Sequence, residues 1–318
     1  MTSADDSDGV LTPDDAFAVL GDETRLAILR ALGEADGPVA FSDLYDAVDV
    51  DDSGQFNYHL DRLVGHFVRK IDAGYHLREP GRQVVEAVLS GVVTDTPTFD
   101  RTRVDQTCEY CGSTVEAQWR AGNVELYCTG CAGRYGRRHD AGDAGDADEG
   151  YLGRLTLPPA GVRGRDADEI VRTAWTWTNL EVLAFASGIC PRCSATVEYD
   201  LSVCWEHETD EGLCQSCDRY HAITVGVSCT NCIYYGSGAA ALALLSETAV
   251  LDFLTDHGLD PIAPGDITAV NSAHEDYEEA ILETDPLEAR LTLTVDGDRL
   301  ALTVDDSLTV LETTRLND

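Results

Sequence analysis

Lysine is nearly missing from this chain: Lys70 is the only one in 318 residues. Arginine supplies the rest of the 22 basic side chains, which face 58 acidic ones for a net charge of −36. Long apolar runs are missing too. No stretch of 18 uninterrupted apolar residues occurs, and the longest small-apolar run, Ala239–Leu245, is far too short to cross a bilayer. No apolar run behind basic residues opens the chain, so a soluble, unexported, cytoplasmic protein with no membrane partner is expected. In that compartment the 11 cysteines are not a disulfide scaffold.

A chain of 318 residues has room for two to four domains with real cores. Its acidity would ordinarily repel nucleic acid. Either the partners are basic, or the acid is a solvation device for a salt-saturated cytoplasm. The acid is spread over every segment and lysine is nearly absent, which resembles the habit of extremely halophilic archaea. The second explanation is preferred, and on it the net charge says little about ligand.

The first hundred residues read as helices and a hairpin. Thr12-Pro13-Asp14-Asp15 is a helix start, and Gly21-Asp22-Glu23-Thr24 is a break and re-cap. A second helix is expected over Ser42–Val48. In Ser53–Phe67 the residues Phe56, Leu60, Leu63, Val64 and Phe67 make one apolar stripe, with Gln55, Asn57, Tyr58, His59 and Arg62 opposite. Phe67–Ile71 and Tyr75–Arg78 flank the turn Asp72-Ala73-Gly74, and a last helix covers Gly81–Val93. Residues 1–52 hold 14 acids against Arg25 and Arg30, whereas 53–82 hold three acids against five bases. The local sign therefore reverses only where a helix and a wing would meet phosphate.

Helix, helix, helix, hairpin, helix is the order of a winged helix-turn-helix. Leu20-Gly21-Asp22-Glu23-Thr24-Arg25-Leu26-Ala27-Ile28-Leu29 resembles the first-helix signature of ArsR-type regulators. Asn57-Tyr58-His59-Leu60 with Leu63 is similar to the core of their recognition helix. The resemblance spans about residues 14–93 and implies a dimer on double-stranded DNA, with the last helix as its seam. Gln55, Asn57, Tyr58, His59 and Arg62 would then reach base edges or phosphates, and Arg69, Lys70, His76 and Arg78 would lie on or beside the wing. The metal-sensing cysteines of that family are absent from Asp43–Val50 and Gln55–Leu63. A winged helix used only to dock protein is the alternative.

Metal-ligand spacing begins downstream, where ten of the 11 cysteines form five Cys-x-x-Cys pairs. Cys108, Cys111, Cys128 and Cys131 flank two strand-like runs, Thr114–Arg120 and Val124–Tyr127, which makes a zinc ribbon. Arg134–Gly150 is acidic, low in complexity and expected to be mobile, and Tyr151–Leu157 returns as a third strand. Arg165–Ser187 reads as a helix in which Trp175 and Trp177 are core rather than a cofactor platform. Then come Cys190, Cys193, Cys204, His207, Cys214, Cys217, Cys229 and Cys232, enough for two more sites. If Thr196–Val203 and Tyr220–Ser228 pair antiparallel, Cys190, Cys193, Cys229 and Cys232 meet at one end. Cys204, His207, Cys214 and Cys217 meet at the other, roughly 25–30 Å away. Three structural zinc ions per chain are expected; the alternative reading of His207 is a surface histidine beside Glu206 or Glu208. A zinc deaminase or hydrolase would need an open ligand position, which four-ligand sites do not leave.

The remainder reads as a helix over Ala239–His257, a helical turn in Pro264–Asn271 and a meander. Its strands are Ala280–Glu283, Ala289–Val295, Arg299–Val304 and Thr309–Thr313, with the turn Asp296-Gly297-Asp298. The whole is therefore α+β and multidomain. Its parts are a winged helix (1–100), a zinc ribbon with an acidic loop (101–160), helices around a doubly clamped hairpin (161–257) and a meander (258–318). The function expected is a transcriptional regulator and not an enzyme. A second layout it resembles is the archaeal basal transcription factor E, which would make it a module for the transcription machinery with little sequence preference.

Overall fold

The computed structural model describes residues 11–135, 149–209 and 213–316. The expected acidic loop lies largely outside them. The protein is mixed α+β and divides into two compact units, one ending at Thr96 and one beginning at Pro97.

In the first unit, Thr12 caps α1 (Pro13–Leu20) by accepting from the Asp15 backbone N–H, with Pro13 at the first helical position. Gly21 ends that helix and Asp22 caps α2 (Glu23–Glu34). The helices α3 (Phe41–Asp46) and α4 (Ser53–Leu63) follow, then the hairpin of β1 (Val68–Ile71) and β2 (Gly74–Leu77), then α5 (Glu79–Leu89). Ile28, Leu29, Leu44, Phe56, Leu60 and Leu63 are at most 1% exposed and form the centre of the core. Val39 exchanges two backbone hydrogen bonds with Tyr75, of 2.9 and 2.8 Å, adding a short third strand to the hairpin. Gly74 sits there at φ +131°, where a Cβ would lie 2.3 Å from the Val39 carbonyl oxygen, so only glycine fits.

Helix α4 stops four residues before the expected Phe67. Val64 is already extended and Gly65 has φ +99°, which turns the chain so that Phe67 packs inward at 3% exposure. Likewise α5 starts two residues before Gly81 and ends at Leu89 rather than Val93.

The second unit opens with an antiparallel sheet in chain order: β3 (Thr102–Thr107), β4 (Thr114–Arg120), β5 (Asn123–Cys128) and β6 (Tyr151–Thr156). It is covered by α6 (Ala167–Ala186), started by a capping box between Asp166 and Glu169. A three-stranded sheet follows, made of β7 (Val197–Val203), β8 (Ile223–Cys229) and β9 (Tyr235–Ala239). The expected Ala239–His257 helix is instead the end of β9, a 3₁₀ turn over Ala240–Leu244 and α7 (Thr248–Asp256). After α8 (Ile267–Glu275) the meander runs β10 (Glu278–Thr284), β11 (Leu287–Val295), β12 (Asp298–Asp305) and β13 (Val310–Leu316). Asp296 and Gly297, both at positive φ, link Val295 to its partner Asp298 as a two-residue hairpin turn.

Two cores hold this unit together. Val104, Val115, Val124, Leu126 and Leu155 of the first sheet pack on Ile170, Val171 and Ala174 of α6 and on Val270 of α8. Val225, Val227, Phe253, Leu291, Leu302 and Val304 belong to the other core, which Val182 of α6 and Ala273 of α8 also enter. Because α6 and α8 each contribute to both, the three downstream segments expected from sequence are not separate bodies. Trp175 is in the core as expected, but Trp177 is 41% exposed and donates its indole N–H to Glu181 at 2.9 Å.

Candidate metal centres and nucleic-acid face

Three groups of four side chains place their Sγ or ring nitrogen atoms within 4.8 Å of one another: Cys108, Cys111, Cys128, Cys131; Cys190, Cys193, Cys229, Cys232; and Cys204, His207, Cys214, Cys217. These are the groupings expected from spacing and strand reach. The β4–β5 register sets Cys128 opposite Val115, so the two knuckles of the first group meet at one end of the sheet. The β7–β8 register runs from Val197↔Cys229 to Val203↔Ile223 and leaves one group at each end. Seven paired residues separate them by about 20 Å, somewhat less than longer strands would give.

The knuckles have a common construction. Backbone N–H groups of Gly130 and Cys131 point at Cys128 Sγ from 3.2 and 3.3 Å, and those of Asn231 and Cys232 point at Cys229 Sγ from 3.3 Å each. Such donors stabilise a thiolate. Sulfur atoms across each site are 3.4 Å (Cys111–Cys128, Cys193–Cys229) and 3.7 Å apart (Cys108–Cys131, Cys190–Cys232). These separations are too long for disulfides and close to the edge, about 3.8 Å, of a tetrahedron with 2.3 Å metal–sulfur bonds.

The thiols of one group do not ionise alike. Burial pushes Cys108 up, and Cys131 up to about 11. In the second group the Ala195 backbone holds Cys193 down to about 6. In the third the Glu208 backbone draws Cys214 down to about 6, while burial pushes Cys217 up to about 12. Four thiolates packed this closely repel, so a cation between them is what allows all to be deprotonated at once.

His207 is oriented as a ligand would be. Its Nδ1 is 3.5 Å from Cys217 Sγ, and its Nε2 donates to the Tyr220 carbonyl at 3.2 Å, which leaves the Nδ1 lone pair facing the sulfurs. Tyr220 packs its ring against Tyr110 of the first knuckle at a 39° tilt, centroids 4.2 Å apart, and its N–H donates to the Arg134 carbonyl. Arg134 in turn donates Nε to Tyr110 Oη at 2.8 Å and pairs with Glu109 and Glu275. The first and third groups are thus joined by one polar network. In the sequence Arg134 reads as the start of the acidic loop, and its place three residues after Cys131 is the one local signal of this network.

On the first unit, Gln55, Asn57, Tyr58 and Arg62 are exposed along α4, and Arg69 and Lys70 along β1. Asn57 donates to Asp61 at 2.9 Å. His76 is half-buried and paired with Arg69 across the hairpin. Two expected contacts are corrected. His59 is 7% exposed, with Nδ1 3.3 Å from Asp22 Oδ1 at the start of α2, because position 59 falls beside Phe56 and Leu63 on the inner face. Arg78 is half-buried and donates to the Gly65 carbonyl, bracing the turn before the hairpin.

A family model described as a domain of unknown function, DUF7351, matches residues 105–310, well over half the chain. The chain belongs to that family. A second domain of unknown function, DUF7347, matches residues 13–88. No curated protein and no solved structure matches the chain. The DUF7351 match thus takes in all three cysteine groups, and the DUF7347 match takes in the helices and hairpin of the first unit. Among the described residues no helix is long and apolar enough to cross a membrane.

Proposed function

We propose that this chain is a cytoplasmic, DNA-binding transcriptional regulator of the ArsR-like winged-helix kind, with three structural zinc ions per chain. The observation that carries this reading is the local reversal of charge on exposed residues. Arg62 on α4 and Arg69 and Lys70 on β1 stand on a protein of net charge −36, beside the exposed polar side chains of Gln55 and Tyr58. A helix for the major groove and a wing for the flanking phosphates need that combination. Phe17 at 75% and Leu89 at 46% exposure supply apolar surface on α1 and α5 for a homodimer seam. Zinc suits three sites built from sulfur and imidazole with four ligands each. With every tetrahedral position filled, those sites fold the protein rather than catalyse.

Selection from random DNA in molar KCl is the test. A regulator enriches an inverted repeat with half-sites about 10–10.5 base pairs apart. Recovery of unrelated sequences, together with capture of RNA polymerase, would instead establish the basal-factor-like reading, which a winged helix followed by a ribbon also supports.

A further inference from the structure

A cavity of about 420 Å³ lies in the second unit between β6, α6, α8 and the outer face of the β7–β9 sheet. That volume is within the range that small-molecule sites occupy, roughly 300–1,000 Å³. Exposed residues, Asp200 and Tyr235 among them, line part of it, so it opens to solvent and can admit a small molecule. Three of its lining residues, Gly153, Gly226 and Gly238, are glycines, which keeps the walls apart.

Two donor groups there have capacity left: the Trp175 indole N–H and the Arg219 guanidinium. Trp175 lines the cavity at 8% exposure, and its indole N–H is buried with no hydrogen-bond partner. A buried donor without a partner costs about 1–3 kcal/mol, which an acceptor would recover if the indole turned to meet it. Arg219, also in the lining, donates Nη1 to Thr224 Oγ1 at 2.7 Å and makes no ion pair with a carboxylate among the described residues. Arg134, by contrast, is spent on Glu109 and Glu275.

Charge and shape narrow the class. The chain as a whole has 58 acids to 22 bases, yet the lining has three arginines (134, 154, 219) to three carboxylates (109, 200, 275). An anion meets less repulsion here than over the rest of the protein. The third carboxylate, Asp200, is exposed to water and needs no ligand cation. Trp175, Tyr151 and Tyr135 offer ring surface, and Leu155, Val182 and Leu242 complete an apolar wall. We propose that this cavity binds one small organic carboxylate with an aromatic body. Arg219 and the Trp175 N–H receive the carboxylate, and the rings and aliphatic wall hold the body. The proposal stands independently of the DNA-binding reading.

The experiment is isothermal titration of the full chain in molar KCl with phenylacetate and indole-3-acetate, each against its neutral amide. One molecule of at least one acid should bind per chain, with the matching amide at least tenfold weaker, as expected when a charge-assisted hydrogen bond is lost. Arg219→Gln should weaken binding of the acid at least tenfold, and Trp175→Phe about threefold or more. Both variants are checked for unchanged metal content. Binding of neither acid at 5 mM would overturn the proposal (a concentration about five thousandfold above a micromolar site). So would an amide that binds as well as its acid. That comparison uses the unaltered protein, so it remains decisive if a variant fails to fold.

Discussion

Arg134 and Glu275 lie 2.8 Å apart, Nη1 to Oε2, with both side chains less than a tenth exposed. The same guanidinium reaches Glu109 Oε1 at 3.0 Å. One cation thus neutralises two buried carboxylates and ties the first knuckle to the end of α8. Removing it strands both acids, which costs about 3–5 kcal/mol. Arg134→Met is therefore expected to lower the melting temperature by roughly 6–20 °C, at 2–4 °C per kcal/mol for a unit of this size. Adding Glu109→Gln and Glu275→Gln to Arg134→Met should recover part of that loss. No recovery would mean that the charge is not the source of the cost.

Metal analysis of the purified protein is expected to give three zinc equivalents per chain. His207→Ala should lower the count to two or weaken the third ion by orders of magnitude while the two all-cysteine sites stay filled. Two equivalents in the parent protein, unchanged by His207→Ala, would remove the third site. Chelation should unfold the second unit, since metal binding at such sites is folding free energy. A circular dichroism spectrum unmoved by exhaustive chelation would contradict that.

His221 makes stability depend on pH. It stacks on Tyr277 at a 4.1 Å centroid distance, donates Nε2 to the Glu275 carbonyl at 2.8 Å, and burial pulls its pKa from 6.5 down to about 4. The folded state therefore favours neutral imidazole. This contribution is fully present above pH 6.5 and fades as the pH falls toward 4, because only the unfolded chain then takes the proton. Between pH 7.5 and pH 5 the loss is about 2 kcal/mol. Denaturant titrations of the parent and of His221→Phe across that interval should diverge by this amount. Acid release of metal and the raised pKa of the buried Glu279 act on both proteins alike. Parallel curves would show that His221 does not titrate this way.

For the proposed DNA face, Arg62→Ala combined with Lys70→Ala should abolish binding while leaving the melting temperature nearly unchanged, since both side chains are exposed. Full retention of binding would exclude this surface. His59→Ala should behave in the opposite way, costing about 1–3 kcal/mol of stability through its lost place against Asp22 and leaving the selected sequence as it was.

Salt provides a separate check. DNA binding ordinarily weakens steeply as salt rises, through counterion release. On a protein of net charge −36, cations have to enter near the interface, so a shallow or inverted dependence on KCl is expected. A steep conventional loss between low and molar KCl, measured by fluorescence anisotropy, would argue against it.

The cysteine groups were legible in the sequence because a Cys-x-x-Cys knuckle is a local structure, and because strand reach alone decides which knuckles meet. The cap at Asp22 and the turn at Asp296-Gly297 were legible for the same reason. Ala239–His257 was not. Its run of small apolar residues has no period to separate helix from strand, and the chain there is a strand edge, a 3₁₀ turn and a short helix. β3 was missed because only Val104 of its six residues is deeply buried, so no alternation stands out. His59 was misplaced because its polarity suggested the outer face, whereas its contact with Asp22 comes from another helix. The Arg134 network likewise joins residues more than 140 positions apart, a distance over which spacing carries no signal.

The β7–β8 hairpin has a set of ligand side chains at each end. Ordinary two-stranded pairs can slip by two residues and keep their faces, but a pair bolted at both ends has no such freedom. Sliding would drag Cys229 from Cys193 at one end while moving Cys204 away from Cys217 at the other. With both clamps closed the hairpin behaves as a rod of set length. With a metal ion bound at each end, stretching it would require the loss of an ion.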